Sequence, residues 1–124
     1  LLASLKQAGK QLIVATSKPE EFSIQILKYF GLYDYFDFVA GATMDRKRSK
    51  KSDVIQYALE QNGITDLAHT IMIGDREHDV LGAQAQNLDS IGVLYGFGSR
   101  EELEEAGATY IAQEVGEIAK IINI

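Results

Sequence analysis

Cysteine is absent from the chain, which removes disulfide frameworks, thiolate metal sites and cysteine nucleophiles and fits a reducing compartment, with the cytoplasm as the expected setting. Basic charge is scarce. Twelve Lys and Arg stand against 18 Asp and Glu, a formal net charge of −6, so nucleic acid is not an expected partner. No apolar run approaches the roughly 20 residues needed to span a bilayer. The N-terminus has no charged region followed by a signal-like apolar stretch, so no membrane association is expected either. There is no GxGxxG fingerprint, Walker loop, HExxH or nucleophile-elbow serine, and dinucleotide, nucleoside triphosphate, zinc-protease and esterase readings lose their main support.

What is present suits one soluble globular domain: 124 residues, 46% hydrophobic and 24% charged, enough for a core and too few for two domains. One dense basic run occurs, Arg46, Lys47, Arg48, Lys50 and Lys51. It reads either as a solvated loop or as a loop with one lysine serving an anionic substrate, and the two readings are compatible.

Strand and helix signals alternate along the chain. Leu1, Leu2, Leu5 and Ala8 sit at helical spacing, as if the chain begins within a helix. Gln11 to Thr16 reads as a strand buried on both faces. A helix is expected next, with Ser17 as N-cap, Pro19 in the first turn, Glu20 completing a capping box and Phe22, Ile26 and Phe30 on its buried face. Gly31 ends it. Phe36 to Gly41 is a weaker strand signal, and Ala42 to Lys50 a polar loop. The next helix has Val54, Ile55, Ala58 and Leu59 as its apolar face and stops at Gly63. Thr70 to Ile73 reads as a fully buried strand, and the helix from about Glu77 to Gln86 as burying Val80, Leu81 and Ala85. Ser90 to Leu94 is a further strand. After it come the Gly-rich turn Tyr95-Gly96-Phe97-Gly98, a helix capped by Ser99 with Glu102 three residues on, a short strand at Thr109 to Ala112 and a terminal helix. This order predicts an α/β fold, a parallel sheet with crossover helices on both faces. Ligands in such sheets bind beyond the C-terminal ends of the strands.

Three such ends carry candidate chemistry. In Gly74-Asp75-Arg76-Glu77-His78-Asp79, Asp75 leaves a strand and Asp79 lies in the first helical turn. The pair suits a hard cation held through oxygen, or reads as a helix cap with a first-turn acid favoured by the helix dipole. In Thr16-Ser17-Lys18-Pro19, hydroxyls and open backbone N–H groups make a phosphate-binding end, with capping as the plainer reading of Ser17. At the helix start near Lys51, with Lys50 as the alternative, a cation opposes the dipole and a phosphate would explain it. His69 and His78 read as surface or capping residues. Tyr95 to Gly98 is either a flexible turn or the floor of a substrate pocket.

Strand-Thr, helix-start Lys and strand-Gly-Asp-x-x-x-Asp, in that order, resemble the second, third and fourth motifs of the haloacid dehalogenase-type phosphatases. The Thr16 to Pro19, Gly74 to Asp79 and Tyr95 to Gly98 segments look most like the phosphoglycolate phosphatase branch. The resemblance implies a three-layer Rossmann-like fold and a Mg²⁺-dependent phosphate-monoester hydrolase acting on a small organic phosphate through an aspartyl-phosphate. By the same resemblance Asp75 and Asp79 serve the metal, Asp79 by supporting the site or else orienting the lysine, Thr16 and Lys51 are catalytic, and Thr16, Ser17, Lys18 and Lys51 bind the phosphate. The lysine-proline signature of that family is missing, which leaves Lys50 or Lys51 as the motif lysine.

The family's first motif, Asp-x-Asp-Gly-Thr at the end of the central strand, is absent from the 124 residues, as is the cap domain. Residues 1–124 are therefore expected to be the C-terminal portion of a single catalytic core, inactive alone, with two apolar sheet edges open to strand exchange or oligomerisation. A phosphomutase of the same superfamily and a non-catalytic binding or assembly fragment are the alternatives.

Overall fold

The computed structural model describes residues 1–43, 48 and 50–123. Arg46 and Lys47 of the basic run lie outside these. The described residues fall into two compact units, one within residues 2–64 and one from residue 65 onward with Leu1.

The first unit contains α1 (Leu2–Gln7), β1 (Ile13–Pro19), α2 (Glu20–Tyr29), β2 (Phe38–Ala42) and α3 (Lys51–Gln61). β1 and β2 are parallel, with Ile13, Val14 and Ala15 opposite Phe38, Val39 and Ala40. The register then shifts before Pro19 meets Ala42. Asp37 ties the start of this sheet to its surroundings, accepting the Leu12 N–H at 2.8 Å and the Lys6 ammonium at 2.9 Å. The Lys6 ammonium first, and the Leu12 N–H second, hold its carboxyl below the usual value. α3 supplies the core face expected of it. Val54 and Ala58 pack with Ala40 against Ile13, Ala15, Phe38 and Tyr57, and Ile55 is buried. Gly31 and Gly63 follow α2 and α3 with φ of 70° and 61°, the left-handed conformation that glycine adopts without a Cβ penalty.

α2 departs from expectation twice. Its helical residues begin at Glu20, its N-cap is Pro19, and no side chain caps it. Ser17 is instead an exposed residue of β1, because the chain stays extended until Pro19 has paired with β2. The predicted apolar face is also the wrong one, with Phe22 50% and Phe30 67% exposed and Ile26 exposed beside them, while Ser23 is buried. The phase of α2 is set at its first turn and not by its apolar stripe. The Ser23 hydroxyl donates to the Pro19 carbonyl at 3.2 Å, and Gly41 of β2 packs so close to the Glu20 backbone that a Cβ would collide with it.

The second unit contains β3 (Ile71–Gly74), α4 (Glu77–Ala85), β4 (Asp89–Val93), α5 (Arg100–Ala106), β5 (Tyr110–Ala112) and α6 (Val115–Ile121). Its parallel sheet has the order β3-β4-β5. Ile91, Val93, Ala112 and Ile118 form the core, with Ile71, Ile121 and Ile122 against it. β3 was expected to be fully buried, yet Ile73 is 37% exposed, since β3 is an edge strand with β4 as its one neighbour among the described residues. α4 likewise buries Val80, Gly82 and Ala83, while Leu81 and Ala85 are exposed. The helix lies low against β3 and β4 through its small residues. No helix among the described residues is long and apolar enough to cross a membrane.

Candidate active site

In the first unit the candidate residues gather where the regular β1 to β2 ladder stops. Ala15 is the last residue in unshifted register, so Thr16 is the first beyond it. The Thr16 hydroxyl oxygen accepts the Lys18 N–H at 3.2 Å, a local turn that uses an acceptor site and leaves the hydroxyl proton to donate. Lys51 opens α3 and sends its ammonium to the Ala15 carbonyl at 3.2 Å. A backbone dipole at the end of β1 thus holds a cation that the start of α3 would otherwise disfavour. Lys50 precedes it as an exposed N-cap residue in extended conformation. Ser17 and Lys18 are exposed on the same strand end.

Sequence reasoning missed what fixes this corner. Arg48 was grouped with a solvated basic loop, but its guanidinium lies 3.5 Å from the centre of the Tyr57 ring, donates to the Gly41 carbonyl at 2.9 Å and meets the Glu20 carboxylate at 3.5 Å. The Arg48 backbone N–H also donates to the Thr43 hydroxyl at 3.0 Å. Glu20, expected in a capping box, instead accepts the Gly41 N–H at 3.3 Å. Three residues before Lys51, the chain is therefore pinned to β2 and to α3 itself. No pattern in the sequence sets this arginine apart from the rest of the basic run.

In the second unit Asp75 and Asp79 close the turn between β3 and α4. Asp79 is 5% exposed. Its Oδ2 accepts the N–H groups of Asp75 at 3.1 Å and Arg76 at 3.2 Å, so this carboxylate does cap the helix, from inside its first turn, and the negative charge suits the helix N-terminus. Gly74 is required beneath it, since a Cβ there would run into the Asp79 carboxylate. Asp75 is half-buried and does not cap α4; its Oδ2 accepts the Phe97 N–H at 2.9 Å.

The Tyr95 to Gly98 segment is thus a close wrap around Asp75. A Cβ on Gly96 would strike the Asp75 side chain, and one on Gly98 the Asp75 carbonyl. Glu102 completes the arrangement. Ser99 caps α5 as expected, accepting the Glu102 N–H at 3.1 Å, but the Glu102 carboxylate turns away to accept Arg76 Nε at 2.9 Å and the Glu77 N–H at 2.8 Å. The Arg76 guanidinium first, then the Glu77 N–H, hold the Glu102 carboxyl below its ordinary range, and Glu102 raises Arg76 in return. His69 is a surface residue whose Nδ1 lies 2.7 Å from Asp66, and His78 is exposed on α4.

No group of three or more His, Cys, Asp or Glu able to hold a metal occurs among the described residues. A site built on Asp75 and Asp79 offers carboxylate oxygen alone. That donor set suits a hard cation that takes one or two carboxylates and completes its shell with water and phosphate oxygens, and it does not suit metals that prefer imidazole or thiolate.

Known proteins are similar to this chain in sequence and fold. The crystal structure of a predicted phosphatase from Clostridium acetobutylicum superposes with a TM-score of 0.95 at 55% identity, over 99% of this chain and 57% of that one. Among curated proteins, the tyrosine-protein kinase PtkA of Mycobacterium tuberculosis is 37% identical over all of this chain and 43% of its own length. A 5'-nucleotidase of Pseudomonas aeruginosa is 36% identical over 99% of this chain and 55% of its own. A phosphoglycolate phosphatase of Neisseria meningitidis is 33% identical over 97% of this chain and 51% of its own. The chain spans about half the length of the curated relatives it matches. Residues 1–93 match the haloacid dehalogenase-like hydrolase model, and the chain belongs to that family.

Proposed function

We propose that the protein to which this chain belongs is a Mg²⁺-dependent hydrolase of small phosphate monoesters, of the phosphoglycolate phosphatase type, working through an aspartyl-phosphate. The observation that carries the reading is the paired carboxylate turn after β3, with Asp79 accepting the Asp75 and Arg76 N–H groups and Asp75 accepting the Phe97 N–H. Such a turn holds two acids in fixed orientation, as a hard-cation site requires.

Asp75 and Asp79 would hold Mg²⁺, which when bound supplies positive charge to the transferring phosphoryl group. Thr16 donates its hydroxyl proton to a phosphoryl oxygen. Lys51, whose ammonium meets the Ala15 carbonyl, would offer positive charge to a phosphate at the end of β1, where Ser17 and Lys18 add polar and cationic groups. Phosphoryl transfer draws most of its catalysis from such positioning and charge stabilisation. The resemblance assigns the attack on phosphorus and the protonation of the leaving alcohol to an Asp-x-Asp motif, and no Asp-x-Asp occurs in the 124 residues. On this reading the chain alone does not turn over.

The test is phosphate release by the whole protein from a panel of small phosphate monoesters with and without Mg²⁺, beside Lys51→Ala and Lys50→Ala variants. The proposal expects Mg²⁺-dependent release that falls about a hundredfold or more in Lys51→Ala and changes little in Lys50→Ala. Equal effects of the two would remove Lys51 from its role. The likeness to a tyrosine-protein kinase favours a second reading, in which the phosphoryl group passes to an acceptor other than water. Labelled phosphate appearing on protein tyrosine and not in solution would select it.

A further inference from the structure

We infer that Glu102 is a positioning residue for Asp75, the carboxylate proposed above to hold the cation, and the inference rests on that reading. Glu102 lies 27 residues downstream, on α5, and resembles an ordinary capping-box acid in sequence. Its carboxylate does not serve its own helix. Oε2 accepts Arg76 Nε at 2.9 Å and the Glu77 N–H at 2.8 Å, which are the two residues that directly follow Asp75.

The same oxygen sits 3.2 Å from where a Gly98 Cβ would be, and Gly98 itself is pressed against the Asp75 carbonyl. One residue earlier, the Phe97 N–H donates to Asp75 Oδ2 at 2.9 Å. Glu102 therefore closes a ring of contacts. The start of α5 grips the start of α4, the loop before α5 is drawn onto Asp75, and one Asp75 oxygen is taken by that loop. Removing the grip frees the loop to leave the carboxylate, and a metal ligand that loses its outer hydrogen-bond support binds metal more weakly. Ser99 caps α5 through the Glu102 backbone N–H, so changing the Glu102 side chain leaves that cap in place.

The test uses the whole protein and two readouts: Mn²⁺ affinity by paramagnetic resonance titration, and backbone hydrogen exchange in the metal-free state. Glu102→Ala is expected to lower Mn²⁺ affinity about ten- to a hundredfold and to speed exchange at Phe97 and Glu77 by about tenfold. Glu102→Gln, which keeps an acceptor for the Glu77 N–H but loses the charge facing Arg76, falls between; should the alanine variant not fold, the glutamine variant decides on the same readings. Mn²⁺ affinity within about twofold of wild type in a folded variant overturns the inference, even where stability falls, because a merely structural role lowers stability and spares the metal. Wild-type protein that binds no Mn²⁺ overturns the inference together with the metal reading. Wild-type binding with unaltered variants overturns the inference alone.

Discussion

Replacing Asp79 by alanine tests the construction of the carboxylate turn. The side chain is 5% exposed and its Oδ2 receives two backbone N–H groups, from Asp75 at 3.1 Å and Arg76 at 3.2 Å. Loss of a helix cap costs about 1 kcal/mol, and a donor left unsatisfied in a part-buried turn adds about 1 to 3 kcal/mol. Asp79→Ala should therefore destabilise by about 2 to 4 kcal/mol. Asp79→Asn keeps the size and an acceptor oxygen. It loses the charge at the start of α4, and should cost about 1 kcal/mol. Equilibrium urea unfolding followed by far-ultraviolet circular dichroism measures both. With a slope of about 2 kcal/mol per molar, the alanine variant should unfold at about 1 to 2 M lower urea, with the slope unchanged. A midpoint within about 0.2 M of wild type would show that the two N–H groups do not depend on this carboxylate, and the turn would need another explanation.

Three further outcomes follow from the same geometry. Ile91→Ala, at a fully buried core position of the second unit, should cost about 2 to 5 kcal/mol, whereas Phe30→Ser on the exposed face of α2 should stay within about 0.5 kcal/mol; thermal unfolding of the two side by side checks both, and a large loss in Phe30→Ser would mean that this face is covered. Gly98→Ala should destabilise by about 1 to 3 kcal/mol, because the added methyl meets the Asp75 carbonyl, which is backbone and cannot swing away; a neutral result would contradict the close wrap. Acid should weaken the fold through Glu102, whose folded value lies below its ordinary 4.5. A lowered acid contributes stability that is fully present above the ordinary value and is lost as pH falls through the lowered one. Stability should therefore drop below about pH 4.5, and Glu102→Gln should flatten that limb; an unchanged limb would show that the ion pair with Arg76 does not contribute.

Much of this was legible in the sequence. Short apolar runs between helices with marked caps gave the order of elements and the parallel pairing, because a buried parallel strand and an amphipathic helix leave different periodicities. The strand ends followed, and with them the places of Thr16 and Asp75 at those ends and of Asp79 in the first turn of α4. What periodicity could not show is where a helix is anchored. α2 carries a clean apolar stripe at Phe22, Ile26 and Phe30, yet Gly41 and Ser23 bring its first turn against the strands and rotate that stripe outward. Ser17 reads as a cap because a serine three residues before a glutamate makes a capping box, but the extended pairing of Pro19 with Ala42 takes precedence. Arg48 over Tyr57 and Glu102 on Arg76 are invisible for a different reason. Each joins residues whose proximity exists only after folding, and a charged side chain in a polar stretch has no pattern that distinguishes a structural ion pair from a solvated one.

The most direct test of the central claim is phosphate release from small phosphate monoesters by the whole protein, wild type and Asp75→Asn, with Mg²⁺ and after its removal by chelator. The account predicts turnover that stops on chelation, returns with Mg²⁺ and is lost in Asp75→Asn while the variant stays folded. Turnover that is indifferent to Mg²⁺, or that survives in Asp75→Asn, would contradict it.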